Sequence, residues 1–165
     1  MSRGFVKEDD LEHAGTDLPE RPVSPHTNYV TPEGLQQLQQ SVKTLESQRP
    51  QYATRKEDTN AQQKVAEIDR DLRYFVARLE SVQLVTPEQQ PQHTVLFGAT
   101  VTVEDEAGEQ HQFQIVGEDE ADIAQQKVSY VSPLAKALLG RKVGDSTLWQ
   151  RPAGAMQLDI LNIEY

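Results

Sequence analysis

The sequence predicts an α+β protein: an N-terminal antiparallel α-helical coiled-coil hairpin, then a small antiparallel β-sheet domain with one helix. Three observations predict it. Apolar residues recur at spacings of three and four from Leu35 to Val82. Beyond residue 95 the apolar period falls to two. Between these regimes lies Val82 to Thr94, VQLVTPEQQPQHT, whose prolines and glutamines mark a connection rather than an element. The organisation expected is a tail over 1–28, a hairpin over 29–82, a linker over 83–94 and a sheet domain over 95–165.

Bulk properties narrow the function classes. A chain of 165 residues holds one or two small domains. The net charge of -10 disfavours nucleic-acid binding through a global positive field. The absence of cysteine removes disulfides and thiolate metal sites. No apolar run reaches spanning length and no leader segment opens the chain, so a cytoplasmic protein with no membrane partner is expected. The bases are uneven: residues 31–82 carry 8 of the 16.

The elements follow in order. Residues 1–28 carry Pro19, Pro22 and Pro25, many charges and few apolar residues, which reads as a disordered or loosely docked tail. Phe5, Val6 and Leu11 are its candidate anchors. Thr31-Pro32-Glu33 opens the first helix with an N-cap, a proline that needs no N–H, and an acid near the positive dipole end. Leu35, Leu38, Val42 and Leu45 form its seam. Pro50 is expected to kink or interrupt that helix. Residues 55–60 form the break. Ala61, Val65, Ile68, Leu72, Phe75, Leu79 and Val82 then give a second seam at alternating four-three spacing. Strands are expected over 99–104, 110–116, 127–131, 146–150 and 157–164, with a hairpin turn at Ala107-Gly108. Within KVSYVSPLAKALLGRKVGD, Ser132 caps a short helix, Pro133 occupies its first position and Gly140 stops it. Leu134, Ala137 and Leu138 are its apolar face. Val143-Gly144-Asp145 turns the chain into the next strand.

This strand, SPLAKALLG helix, turn and strand resemble the C-terminal domain of the GreA/GreB transcript-cleavage factors of bacterial RNA polymerase. The resemblance extends to Phe113-Gln-Ile-Val-Gly117, to Arg151-Pro152-Ala153-Gly154 and to the closing Ile163-Glu164-Tyr165. Arg49-Pro50, Glu67-Ile-Asp-Arg-Asp-Leu-Arg-Tyr-Phe75 and Leu96-Phe-Gly98 look most like the GreB branch. It covers roughly residues 29–165 and not the tail. It implies an FKBP-like sheet domain and a monomeric accessory factor rather than an enzyme. It also implies a docking site at the rim of the polymerase secondary channel, association with the nucleoid through the polymerase, and regulation of transcription elongation.

Three groups carry the expected contacts. The resemblance places polymerase docking at Val131, Ser132 and Pro133; family members commonly carry Asp or Asn where Val131 stands. The candidate tip carboxylates are Glu57 and Asp58, which would help hold a Mg²⁺ shared with the polymerase near the 3′ end of backtracked RNA; no metal is intrinsic to the chain. Asp58 or Thr59 serves equally as the N-cap of the second helix. The family's Asp and Glu three apart, followed by Asn-Ala, are missing here, and the interval from Arg49-Pro50 to Glu67-Ile68-Asp69 is shorter. A shortened hairpin with weak or no cleavage stimulation is therefore expected. Arg55, Lys56 and Lys64 are the candidate nucleic-acid or channel contacts within the basic set Lys43, Arg49, Arg70, Arg73 and Arg78, a set that also reads as an ion-paired solvated face.

Other chemistry is poorly supported. Residues 118–122 read as a solvated acidic turn without Ca²⁺-loop spacing. The four histidines are scattered with no pairing. The alternatives are a coiled-coil adaptor for another protein and, less favoured, a peptidyl-prolyl isomerase, whose aromatic pocket would have to come from residues needed in the core.

Overall fold

A computed structural model describes residues 18–165. Phe5, Val6 and Leu11, the apolar anchors proposed for the tail, lie outside the described residues. The chain divides into two compact units. One contains residues 18–26 and Leu38–Ser81, the other Thr27–Gln37 and Val82–Tyr165.

The first unit contains most of α1 (Pro32–Ala53) and all of α2 (Thr59–Glu80). The turn between them is held by Arg55 N–H to Tyr52 O, 3.1 Å, and Asp58 N–H to Arg55 O, 3.1 Å. Gln62 Nε2 adds a bond to Arg55 O at 3.0 Å. Antiparallel packing puts Arg49 of α1 against Asp69 of α2, with Nε and Nη2 on the two carboxylate oxygens at 2.7 and 3.1 Å. Ala61 and Ile68 of α2 and Leu38 of α1 are buried. The remaining seam residues Val42, Leu45, Val65, Leu72, Phe75 and Leu79 are half-buried.

Pro50 does not interrupt α1, contrary to expectation. It stands in the last turn: the helical bond it removes is that from its own position to the Glu46 carbonyl, and the helix still completes its final turn to Ala53. Thr54 takes up the Pro50 carbonyl with both its N–H, 3.4 Å, and its Oγ1, 3.2 Å.

The second unit is built on a five-stranded sheet of order β5-β4-β3-β7-β6. Its strands are β3 (Thr100–Glu104), β4 (Gln110–Val116), β5 (Lys127–Ser129), β6 (Ser146–Arg151) and β7 (Gly154–Glu164). Two further strands, β1 (Tyr29–Val30) and β2 (Gln83–Leu84), pair parallel to each other. The stretch expected to be a bare linker thus contributes a strand and a 3-10 turn at Pro87–Gln89.

Three of the five-stranded sheet's pairings are antiparallel, as expected, but β5 lies parallel to β4. The cause is a double reversal. A first turn closes with Glu120 N–H to Gly117 O, and a second closes between Asp122 and Lys127 with Gln126 in the left-handed region at φ 59°. Two reversals return the chain to its starting direction.

Alternation places Val101, Val103, Leu158 and Ile160 on the buried face. A register shift between Thr102 and Val103 then brings Ile163 opposite Val101. α3 (Pro133–Leu138) packs Leu134, Ala135 and Leu138 onto this face. Ala135, not Ala137, completes its apolar face, because a six-residue helix presents one turn only. The Ala137 carbonyl instead accepts the Thr147 hydroxyl at 2.8 Å, which ties α3 to β6. Gly140 follows at φ 84°, the left-handed stop.

Candidate functional site

The loop between β5 and α3 is held by three hydrogen bonds. Ser129 Oγ accepts the Val131 N–H at 3.2 Å, and Ser129 O accepts the Ser132 N–H at 2.9 Å. Ser132 Oγ accepts the Ala135 N–H at 3.2 Å, so Ser132 is the N-cap and Pro133 the first helical residue. Behind the loop, the Tyr130 ring meets Tyr29 and Phe97 at 5.4 and 5.7 Å, and its hydroxyl donates to Thr27 O at 2.5 Å. Val131 and Ser132 are half-buried and Pro133 is exposed. Beside Pro133 a groove runs between α3 and β6, lined by Lys136, Ala137, Arg141, Leu148 and Gln150 among others. Leu148 is 55% exposed there, on an edge strand. The groove joins an apolar floor to two cations on a chain of net charge -10.

The hairpin tip gathers Arg55, Lys56, Glu57 and Asp58 with Thr54 around a shallow concavity. Lys64 lies apart from it and approaches Glu67 to 3.9 Å. Asp58 is the N-cap of α2: one carboxylate oxygen accepts the N–H groups of Asn60, 3.0 Å, and Ala61, 3.2 Å. A divalent cation needs hard oxygens free to turn toward it. Capping holds one oxygen of Asp58, which leaves Glu57 as the tip carboxylate outside the cap.

The basic set of the hairpin is largely paired. Arg49 binds Asp69, Arg70 binds Asp71 at 3.2 Å, and Arg73 binds Glu20 at 2.6 Å. Arg78, expected on the solvated face, is buried at 1% exposure. Arg49 holds the Asp69 carboxyl below the usual carboxylate range, and Arg73 does the same to Glu20.

Two groups escaped the sequence reading. The first corrects the acidic turn. Glu120 is 6% exposed and bonds Thr31 Oγ1 at 2.5 Å, while Lys127 Nζ lies 3.5 Å from its other oxygen. Thr31 in turn caps α1 through the Gly34 N–H at 3.0 Å. A Cβ at Gly34 would stand 2.7 Å from the Glu120 carboxylate, so a side chain there would have to push that carboxylate aside. The signal was faint: Glu120 is one of four acids in five residues, and its partner lies 89 positions away. The second is His111, which is paired after all. Its Nε2 is 2.8 Å from Asp105 Oδ2, and it lowers the Asp105 pKa. Glu109 brings a third donor atom within 4.8 Å of both. The neighbouring β-hairpin turn already uses Asp105, which accepts from Ala107 and Glu109 N–H groups.

A family profile described as "Transcription elongation factor, GreA/GreB, C-term" matches residues 90–165. A transcription elongation factor GreB of Neisseria meningitidis serogroup B is 35% identical over 153 residues, spanning 84% of this chain and 94% of that one. A GreB of Pseudomonas aeruginosa is 34% identical over 158 residues, spanning 87% and 94%. A solved transcription elongation factor GreA/GreB from Nitrosomonas europaea is 23% identical with a TM-score of 0.41, covering 84% of this chain and 99% of that one. The chain belongs to the GreA/GreB family of transcription elongation factors. Among the described residues, no helix is long and apolar enough to cross a membrane.

Proposed function

We propose that this chain binds bacterial RNA polymerase at the rim of the secondary channel, places its short hairpin in the channel and regulates elongation with little or no stimulation of RNA cleavage. Val131, Ser132 and Pro133 form the docking edge, extended by the α3–β6 groove. The factor acts as a monomer and is not itself an enzyme; any hydrolysis of backtracked RNA belongs to the polymerase. The observation that carries the cleavage-deficient part is the commitment of Asp58 to capping α2. Length supports it: two 22-residue helices reach about 33 Å, and part of α1 belongs to the C-terminal unit. Arg55 and Lys56 at the tip are the residues that meet the channel wall or the RNA 3′ end. Lys64 is a weaker candidate, since Glu67 offsets its charge.

Docking is tested by binding purified polymerase to immobilised factor. Pro133→Glu and Leu148→Glu each put an acid on the proposed face without removing a buried group, and each should weaken binding at least about tenfold if the face is buried on docking. Unchanged affinity in both would place the docking surface elsewhere.

A further inference from the structure

The β3–β4 hairpin closes through Asp105, whose Oδ1 accepts the N–H groups of Ala107 and Glu109 at 2.9 and 3.0 Å. Those two bonds aim the other oxygen: Oδ2 lies 2.8 Å from His111 Nε2. The Asp105 side chain is 7% exposed and that of His111 38%, so the carboxylate is set inside the turn and the imidazole forms its rim. Alternation along β4 puts His111 on the face of Phe113, and the two rings stack at 6.2 Å and 18°. Glu109 completes the group: one donor atom from each of the three residues lies within 4.8 Å of the other two. We propose that Asp105, Glu109 and His111 bind a first-row divalent transition ion such as Zn²⁺.

The donor set selects the ion. An imidazole nitrogen beside two carboxylate oxygens suits Zn²⁺ and its neighbours, whereas Mg²⁺ and Ca²⁺ prefer oxygen alone. Bonds of about 2.0–2.2 Å hold two ligands of one ion about 3–3.5 Å apart. The Asp105–His111 pair opens by less than about 1 Å to reach that spacing, and Glu109, which is exposed, swings in to close the third side. Three protein ligands leave the remaining position to water. The local charge favours a cation. Residues 104–109 include four acids, and no Lys or Arg occurs between residues 79 and 126. Glu106 is turned elsewhere, its Oε1 accepting the Gln157 N–H at 2.8 Å. Without an ion, Nε2 carries the proton that it donates to Asp105. With one bound, Nε2 gives its lone pair to the metal and the proton of the neutral ring sits on Nδ1.

The test needs no polymerase. Zn²⁺ is titrated calorimetrically into the full chain at about 20 µM, in a phosphate-free buffer near neutral pH. One equivalent should bind, and about 5 mM Mg²⁺ should not displace it. His111→Gln and Glu109→Gln both keep the Asp105 turn, since Glu109 joins it through its backbone N–H. Each should weaken binding at least about tenfold. Backbone amide spectra report that the variants keep the sheet. A proton–nitrogen correlation spectrum of the imidazoles gives a second readout: Zn²⁺ should move the His111 ring nitrogens and leave those of His26 and His93 in place. Binding through the other histidines would leave the affinity of His111→Gln unchanged. No binding at this concentration, unchanged affinity in either variant, or a His111 ring that Zn²⁺ does not move overturns the proposal.

Discussion

Single residues decide where the elements begin and stop. Ser132 gives the Ala135 N–H its acceptor, so Ser132→Ala should cost about 1 kcal/mol and Ser132→Asp much less. Thermal unfolding followed at Trp149, in the same unit, measures both. Glu120 is the more sensitive position, because its removal strands the Thr31 hydroxyl and the Lys127 ammonium. Glu120→Ala should cost about 1–3 kcal/mol, and Glu120→Gln, which still accepts from Thr31, should recover part of it. Hydrogen exchange at the Gly34 and Leu35 amides, in the first turn of α1, gives a local readout. Equal exchange in all three proteins would mean that Glu120 does not hold that turn. Local chemistry made Ser132, Pro133 and Gly140 legible in the sequence: a cap, a donor-free first residue and a left-handed stop need only neighbours. Glu120 was not legible, since its partner is remote and its own neighbourhood is acidic.

At the scale of elements, the two periods were enough to separate helices from strands, and strand boundaries agree with the pattern within a few residues. Direction was harder. β5 has the composition of any short strand, and its parallel pairing comes from two turns whose closure depends on contacts rather than on turn residues. The hairpin also carries a pH signature. Arg49 holds Asp69 below the ordinary carboxylate range. A depressed folded pKa contributes stability above the unfolded value, and that stability is lost as pH falls through the folded one. Helix content should therefore fall on acidification below about pH 4. Asp69→Asn should start less stable at neutral pH and show a shallower acid loss. An identical acid profile in the variant would show that the Arg49–Asp69 pair adds nothing. At the tip, Asp58→Asn keeps an acceptor for Asn60 and Ala61 and should leave α2 nearly intact, whereas Asp58→Ala should fray its first turn, at a cost of about 1 kcal/mol. Circular dichroism compares the two.

For the molecule as a whole, the family follows from the relatives, and the docking proposal rests on the resemblance of the β5–α3 loop to that family. The β5–α3 loop and its helix were legible because a capped SPLAKALLG helix is a compact pattern. At the tip, the N-cap of α2 was legible as Asp58 or Thr59, and Asp58 fills it. The pairing of Glu20 and Arg21 with α2 was not legible, because a charged, proline-rich segment reads the same whether or not it docks. The most direct measurement adds the protein to a backtracked polymerase complex holding end-labelled RNA, over a range of Mg²⁺ concentrations, alone and against a cleavage-competent GreB. The prediction is no release of 3′ fragments by this chain and a dose-dependent loss of GreB-stimulated cleavage. Release of 3′ fragments that Glu57→Ala abolishes would contradict it, and so would GreB activity that no excess of this chain reduces.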